Sequence, residues 1–228
     1  MKVLVIVALL AVVRALALAA VPGVVAGQTS TSQQLYAAQR LSELEAVGGV
    51  GRTSVPMLIT QPVDHFNSSD TRVWQQRYWM SAEPFQLGAR APIFFHAGPE
   101  NALGDWTVWE GVLVQTTWAI QLRGVSIASE HRYFGESLPF GNESFTPTNL
   151  HYLTVENTLA DYAAIVQHVR ELFGAVSGQN PVVCSGGSYG GFLSWALRAL
   201  HPEAVDAAVA SGAPTKLLGL VDNDTWYE

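Results

Sequence analysis

The sequence predicts an α/β fold built on a mainly parallel sheet. Apolar segments of strand length alternate with segments in which apolar residues recur at helical spacing. Several of the strand-like segments are continuous apolar runs, which are typical of a sheet covered by helices on both faces. The 228 residues are enough for one sizeable core and too few for two large domains.

The predicted elements begin with a two-stranded ribbon and continue as alternating strands and helices, the order of an α/β domain. The predicted strands are residues 55–60, 73–80, 92–96, 125–129, 182–185 and 207–210. The predicted helices are residues 109–122, 156–173 and 189–200. The apolar stripe of the second helix consists of Leu159, Tyr162, Ala163, Val166, Val169 and Phe173. The apolar pattern of the third helix consists of Phe192, Trp195, Ala196, Ala199 and Leu200.

A G-x-S-x-G turn stands between an apolar strand and a helix in residues 181–192. In that context Ser188 is predicted to occupy a strained turn with its hydroxyl clear of the sheet. Gly186 and Gly190 have no Cβ atoms to collide where the strand meets the helix. The backbone N–H of Tyr189 lies at a helix N-terminus and is predicted to stabilise an oxyanion. The turn therefore favours an α/β-hydrolase with a serine nucleophile over a serine that only caps the helix.

Two further loops are predicted at the same edge of the sheet as this turn. Residues 96–101 follow the third predicted strand, and residues 130–137 follow the fourth. Loops at the carboxyl ends of parallel strands build the active site in open α/β sheets. Hydrolases with this turn place a second oxyanion donor in the loop after the third strand. The order of the loops therefore supports the hydrolase interpretation.

The N-terminus has the pattern of a secretory signal peptide over residues 1–26. Lys2 precedes an apolar run, and small residues offer cleavage sites after Ala19 and Ala26, of which Ala26 is favoured. Residues 27–52 are polar and are predicted to lead into a hydrolase domain over residues 53–228. We therefore expect the protein in the secretory pathway, without a membrane anchor.

Other residue types agree with a secreted protein that needs no cofactor. Sequons at Asn67, Asn142 and Asn223 predict glycosylation of at least one site. Cys184, the only cysteine, lies in an apolar strand and is predicted to be a buried, inert thiol. The net charge of −7 and the lack of a basic run argue against nucleic-acid partners. The chain shows no metal-ligand spacing and no phosphate loop, so neither a metal nor a cofactor is expected.

Four segments together resemble one peptidase family. They are residues 62–66 (Pro-Val-Asp-His-Phe), 76–78 (Gln-Arg-Tyr), 130–141 and 186–191. Their combination is similar to the serine peptidase family of lysosomal Pro-X carboxypeptidase, dipeptidyl peptidase II and thymus-specific serine protease. The similarity extends from residue 53 to residue 214. Lipases and esterases in general share the G-x-S-x-G turn and lack the block at residues 130–141.

The resemblance implies an α/β-hydrolase fold, a Ser-Asp-His triad and cleavage of proline-containing peptides in acidic compartments. It assigns the nucleophile to Ser188 and one oxyanion donor to the backbone N–H of Tyr189. It assigns a substrate and oxyanion loop to Gly98, Glu100 and Asn101. The lysosome (or vacuole) and the extracellular space both fit, and a homodimer of the full-length protein stays open. Carboxypeptidase, dipeptidyl-peptidase and endopeptidase activities also stay open.

Pro99 departs from the family pattern in this loop, because relatives often have a residue with a backbone N–H there. Proline has none. If that N–H binds the oxyanion in relatives, the donor here must shift to Glu100 or a neighbour. Glu100 also matches an acidic position of the family.

The residues that follow Ser188 do not complete a triad. In this fold an acid and then a histidine follow the nucleophile, yet the only later histidine is His201, at the end of the same helix. A rise of about 1.5 Å per residue places it roughly 20 Å from Ser188, whereas a general base must lie within about 3 Å. The later acids, Asp206, Asp222 and Asp224, come too early for the triad acid. The upstream histidines expected to be structural are His65, His96 and His131.

We therefore interpret the chain as the N-terminal part of a longer enzyme, lacking the cap and last strands, and expect it to be inactive alone. Two other functions stay open. A secreted esterase or lipase with the same turn would prefer esters to proline peptides. A non-catalytic, glycosylated binding protein would leave Ser188 unlabelled by a fluorophosphonate. The block at residues 130–141 favours the proline peptidase.

Overall fold

A computed structural model describes residues 57–81, 91–103, 118–119, 121–122, 124–172 and 180–214 of the chain. The predicted signal peptide, the segment that follows it and Asn223 lie outside the described residues. Most of the helix predicted over residues 109–122 also lies outside them, and its described residues 118–119 and 121–122 are helical.

The described residues form a mixed sheet of six strands in the order β1-β2-β4-β3-β5-β6. The strands are β1 (Met57–Pro62), β2 (Val73–Ser81), β3 (Ile93–His96), β4 (Val125–Ser129), β5 (Val182–Gly187) and β6 (Ala207–Ser211). β1 and β2 form the antiparallel ribbon, and β2 also pairs antiparallel with β4. The pairs β3/β4, β3/β5 and β5/β6 are parallel. All six predicted strands are confirmed, with shifts of two residues at most at their ends.

Besides the helical residues 118–119 and 121–122, the described part of the chain contains three α-helices and a 3₁₀ turn at Gly141–Glu143. They are α1 (Pro147–Leu150), α2 (Val155–Leu172) and α3 (Ser188–Leu200). α2 and α3 match the predicted helices closely. A search of the described helices found none long and apolar enough to cross a membrane.

The parallel register brings the carboxyl ends of three strands to one edge. His96, the last residue of β3, lies beside Ala128 of β4 and Ser185 of β5. The loops after these strands therefore begin next to one another. With the strand order, the ribbon and the strand-turn-helix after β5, the described residues have the arrangement of an α/β-hydrolase fold, as predicted.

Helices cover both faces of the sheet, which explains its continuous apolar strands. On one face, the buried residues of α2 and α3 pack against side chains such as Phe95 and Cys184. On the other face Phe94 contacts Trp118, with ring centroids 5.9 Å apart. Cys184 is fully buried, and burial raises the pKa of its thiol to about 12, in agreement with the inert role predicted for it.

The buried face of α3 differs from the predicted apolar pattern. Its core residues include Phe192, Leu193 and Leu197, whereas Trp195 is 40% exposed and Leu200 is 65% exposed. The helix buries the arc that faces the sheet and α2, and Trp195 lies off that arc. Leu200 is the last residue of the helix. Apolar character alone could not show which side of the helix meets the sheet.

Candidate active site

Ser188 stands at the junction of β5 and α3 with the geometry predicted for it. It has a φ of 52° and is the first residue of the helix. A positive φ is a strained conformation for a residue with a side chain. Ser188 is exposed, and its hydroxyl has no hydrogen-bond partner among the described residues. The turn thus presents a free hydroxyl at the edge where the three loops begin.

The glycines around Ser188 allow the helix to approach the sheet closely. A Cβ atom on Gly186 would lie 2.2 Å from the carbonyl oxygen of Gly190. A Cβ atom on Gly190 would lie 2.8 Å from the carbonyl oxygen of Ala97. Real Cβ atoms do not tolerate such distances, so a side chain at either position would push α3 away from β3 and β5.

The loop after β3 lies against the same turn. A Cβ on Gly98 would lie 2.1 Å from the carbonyl oxygen of Ser129, so only glycine fits there. The Gly98 N–H donates to the Ser129 hydroxyl at 3.4 Å, and the Asn101 N–H donates to the Pro99 carbonyl oxygen at 2.8 Å. Since proline has no N–H, the backbone N–H of Glu100 is the donor in residues 98–101 that has no such partner among the described residues. This loop, which contains the predicted residues Gly98, Glu100 and Asn101, lies against the first turn of α3, because a Cβ on Gly190 would be 3.6 Å from the Cβ of Pro99.

The side chain of Tyr189 extends from the G-x-S-x-G turn toward the loop after β4. Its hydroxyl lies 3.4 Å from Nε2 of His131, and the two ring centroids are 5.7 Å apart. Burial, with a smaller contribution from the charge of Glu100, raises the pKa of Tyr189 to about 12. Burial lowers the pKa of His131. Burial therefore favours the neutral form of both rings, and the two rings connect the loop after β4 with the turn after β5.

The predicted structural role of three upstream histidines fits their contacts. Nδ1 of His131 lies 2.6 Å from the carbonyl oxygen of Arg132, and Nε2 of His65 lies 2.7 Å from a carboxylate oxygen of Asp161. His96 ends β3, and burial lowers its pKa to about 4. His201 follows the last residue of α3, at the end of the helix opposite to Ser188, and contacts Glu203.

Glu130, the first residue of the block at 130–141, is a buried anchor of the loop that follows β4. Its carboxylate is fully buried and forms a bidentate pair with Arg77, with N–O distances of 2.8 and 2.9 Å. It also accepts hydrogen bonds from the backbone N–H and the hydroxyl of Ser137, at 3.0 and 2.7 Å. Gly135 has a φ of 57°, and a Cβ there would lie 1.9 Å from a Glu130 carboxylate oxygen. The glycine therefore lets the loop close around the acid.

Arg132 is the second buried anchor of this loop. Its guanidinium forms a bidentate pair with Asp161 of α2, with N–O distances of 2.7 and 2.9 Å. The same guanidinium donates to the carbonyl oxygens of Val63 and Tyr152, at 3.1 and 2.7 Å. Asp161 in turn contacts His65. Burying these charges is tolerable because each is paired and hydrogen-bonded.

The two anchors explain why the segments at 62–66, 76–78 and 130–141 occur together. They form one buried polar scaffold that holds the loop after β4 against the ribbon and α2. Sequence analysis missed Asp161 as a member of this scaffold. The sequence did contain a signal for this role, since Asp161 stands one helical turn before Ile165 on the buried face of α2. An acid in that position requires a buried cation.

The remaining predicted sites are distributed over the surface. Asn67 and Asn142 are exposed, the first in the ribbon loop and the second in the 3₁₀ turn. The described residues contain no cluster of histidine, cysteine or acidic side chains that could hold a metal ion.

Comparison with known proteins gives one family. The family model described as Serine carboxypeptidase S28 matches residues 61–224. Lysosomal Pro-X carboxypeptidase of Mus musculus is 36% identical over 168 residues, which are 72% of this chain and 33% of that protein. Thymus-specific serine protease of Mus musculus is 38% identical over 170 residues, 73% of this chain and 32% of that protein. The chain therefore spans about a third of the length of these curated relatives.

A solved structure from a study of two prolyl endopeptidases is also similar, with a TM-score of 0.45 and 16% identity. The similarity covers 68% of this chain and 21% of that one. It is too distant to bear on function.

Proposed function

Because the chain belongs to the serine carboxypeptidase S28 family, we propose that it supplies the nucleophile of a serine-type exopeptidase that cleaves peptides next to proline. The observation that carries this proposal is the exposed hydroxyl of Ser188 on a strained turn at the start of α3. Selectivity for proline is proposed from the similarity to lysosomal Pro-X carboxypeptidase.

The proposed reaction proceeds through an acyl-enzyme. The Oγ atom of Ser188 attacks the carbonyl carbon of the scissile bond, and its proton passes to a general base. The backbone N–H groups of Tyr189 and Glu100 donate to the oxyanion that forms. The C–N bond then breaks, the amine leaves with the proton, and water hydrolyses the ester on Ser188 to release the acid.

The general base and its acid are proposed to follow residue 228 in a longer form of the protein. His201 is excluded by its place at the far end of α3. A serine without a base is a weak nucleophile. The 228-residue chain by itself is therefore expected to show no peptidase turnover.

The proposed setting is the lysosome or the extracellular space. The predicted signal peptide, the exposed sequons at Asn67 and Asn142 and the similarity to a lysosomal carboxypeptidase support it. The substrates are proposed to be proline-containing peptides with a free end.

A fluorophosphonate probe tests the nucleophile directly, since it labels activated serines. We expect labelling of the longest form encoded by the transcript and none in Ser188→Ala. Ser211→Ala is the matched control, because Ser211 is an exposed serine at the end of the neighbouring strand β6. Labelling that persists in Ser188→Ala would contradict the assignment.

A peptide panel then tests the reaction. Proline-containing peptides are supplied with the amino end free or blocked and the carboxyl end free or blocked, beside a simple ester. Turnover that requires a free carboxyl end indicates a carboxypeptidase, and turnover that requires a free amino end indicates a dipeptidyl peptidase. Preference for the ester would favour an esterase, and a form with neither labelling nor turnover would favour a binding protein.

A further inference from the structure

The imidazole of His131 lies where the loops of the site meet, and the reaction proposed above does not use it. The side chain is buried, with 1% exposure. Its ring lies edge-on to Phe134 at 5.2 Å and to Tyr162 at 6.3 Å, and it faces Tyr189 at 5.7 Å. The hydroxyl of Tyr162 donates to the Gly98 carbonyl oxygen at 2.6 Å. His131 therefore stands between Tyr162, which supports the loop after β3, and Tyr189, which follows the nucleophile.

The hydrogen bonds of His131 define one tautomer. Its Nδ1 atom lies 2.6 Å from the carbonyl oxygen of Arg132, and a carbonyl oxygen only accepts hydrogen bonds. Nδ1 therefore carries the proton. In the neutral ring Nε2 is then an acceptor, and it faces the hydroxyl of Tyr189 at 3.4 Å. This distance is at the long end for a hydrogen bond.

The partner of Nδ1 is itself held in place. The guanidinium of Arg132 is bound by Asp161 and by two backbone carbonyl groups. The backbone of Arg132 is thereby fixed relative to α2. An imidazole that donates to this backbone has a fixed ring plane, so its Nε2 atom has a fixed direction.

From this geometry we infer that His131 is a positioning residue: its Nε2 atom orients the phenol of Tyr189 beside Ser188. The inference rests on the proposed function in so far as Ser188 is the nucleophile. The phenol of Tyr189 belongs to the residue whose N–H is the proposed oxyanion donor. The orientation of this phenol therefore affects the first turn of α3 and the space beside the Ser188 hydroxyl.

Nitrogen NMR of histidine side chains tests the tautomer without any reaction. In protein labelled with ¹⁵N-histidine, we expect His131 to be neutral, protonated at Nδ1, and to titrate at lower pH than free histidine in the same buffer. Tyr189→Phe removes the hydroxyl and should shift the Nε2 resonance of His131. Tyr152→Phe is the control, since its hydroxyl contacts Arg72 at the surface. An Nε2-protonated ring, or no response to Tyr189→Phe, would overturn the inference.

A pair of variants tests the consequence for the nucleophile. His131→Gln keeps an amide group near the position of Nε2, whereas His131→Asn can reach only the Arg132 carbonyl. We expect His131→Asn to slow fluorophosphonate labelling of Ser188 roughly three- to tenfold, in the lower part of the range of coupling between contacting residues. His131→Gln should restore part of the rate.

The same rates form a double-mutant cycle with Tyr189→Phe. If His131 acts through the hydroxyl, the double variant His131→Asn/Tyr189→Phe should be no slower than the slower single variant. Fully additive losses would show that His131 acts by another route and would refute the inference. If the wild-type form of the longest protein encoded by the transcript is not labelled at all, the proposed function fails, and the NMR experiment still decides the role of His131.

Discussion

Removing the carboxylate of Asp161 should destabilise the protein strongly, because it leaves a buried guanidinium without its partner. Asp161 and Arg132 are both fully buried and share two hydrogen bonds of 2.7 and 2.9 Å. Breaking a buried ion pair from one side costs about 3–5 kcal/mol. At roughly 2–4 °C per kcal/mol for a domain of this size, Asp161→Ala should lower the melting temperature by about 6–20 °C.

The assay is urea unfolding followed by tryptophan fluorescence, with the free energy of unfolding extrapolated to water. Asp70→Ala is the comparison, since Asp70 forms the same forked pair with Arg72, whose side chain is 50% exposed. A cation left in contact with water is not stranded as a buried one is, so this variant should lose clearly less stability than Asp161→Ala. The double variant Asp161→Leu/Arg132→Met removes both charges and should recover stability relative to Asp161→Ala. A loss below about 1 kcal/mol for Asp161→Ala would refute the reasoning.

Three further changes have definite expected outcomes. Gly186→Ala places a Cβ 2.2 Å from a carbonyl oxygen and should cost several kcal/mol in urea unfolding, whereas Gly187→Ala, with no neighbour nearer than 3.9 Å, should be mild. His96 has a pKa lowered by burial to about 4, so its unfolded form binds protons more readily. Stability should therefore be full above pH 6.5 and fall toward pH 4, by up to about 1.4 kcal/mol per pH unit, and His96→Gln should flatten this slope. Asn67→Gln in secreted protein should lower the apparent mass by one glycan on a gel.

Each of these expectations has a clear opposite result. Equal destabilisation by the two glycine variants would show that the close contact at residue 186 is not what holds the turn. An acid slope unchanged in His96→Gln would show that other groups control it. A gel position unchanged by Asn67→Gln, with wild-type protein that shifts on glycosidase treatment, would place the glycan at another sequon.

The secondary structure of the described residues could be predicted from local patterns, because the spacing of apolar residues within a segment is enough to indicate a strand or a helix. Continuous apolar runs require strands covered on both faces, and β4 and β5 begin where those runs begin. The G-x-S-x-G turn could also be predicted, since a strained serine flanked by glycines is a local feature. The positive φ of Ser188 agrees with that prediction.

Contacts between distant segments were decided by the tertiary structure. Nothing in the local sequence pairs Glu130 with Arg77 or Arg132 with Asp161, because these pairs form only when the sheet brings separate segments together. The sequence could not show which face of α3 is buried for the same reason, since a helix with apolar residues on several sides gives no direction for the sheet. The sequence alone determined which residues form strands, helices and the serine turn, whose requirements are local. The tertiary structure decided which charges are paired and which rings lie near the serine turn. These contacts join residues that are far apart in the sequence, so they form only when the chain folds.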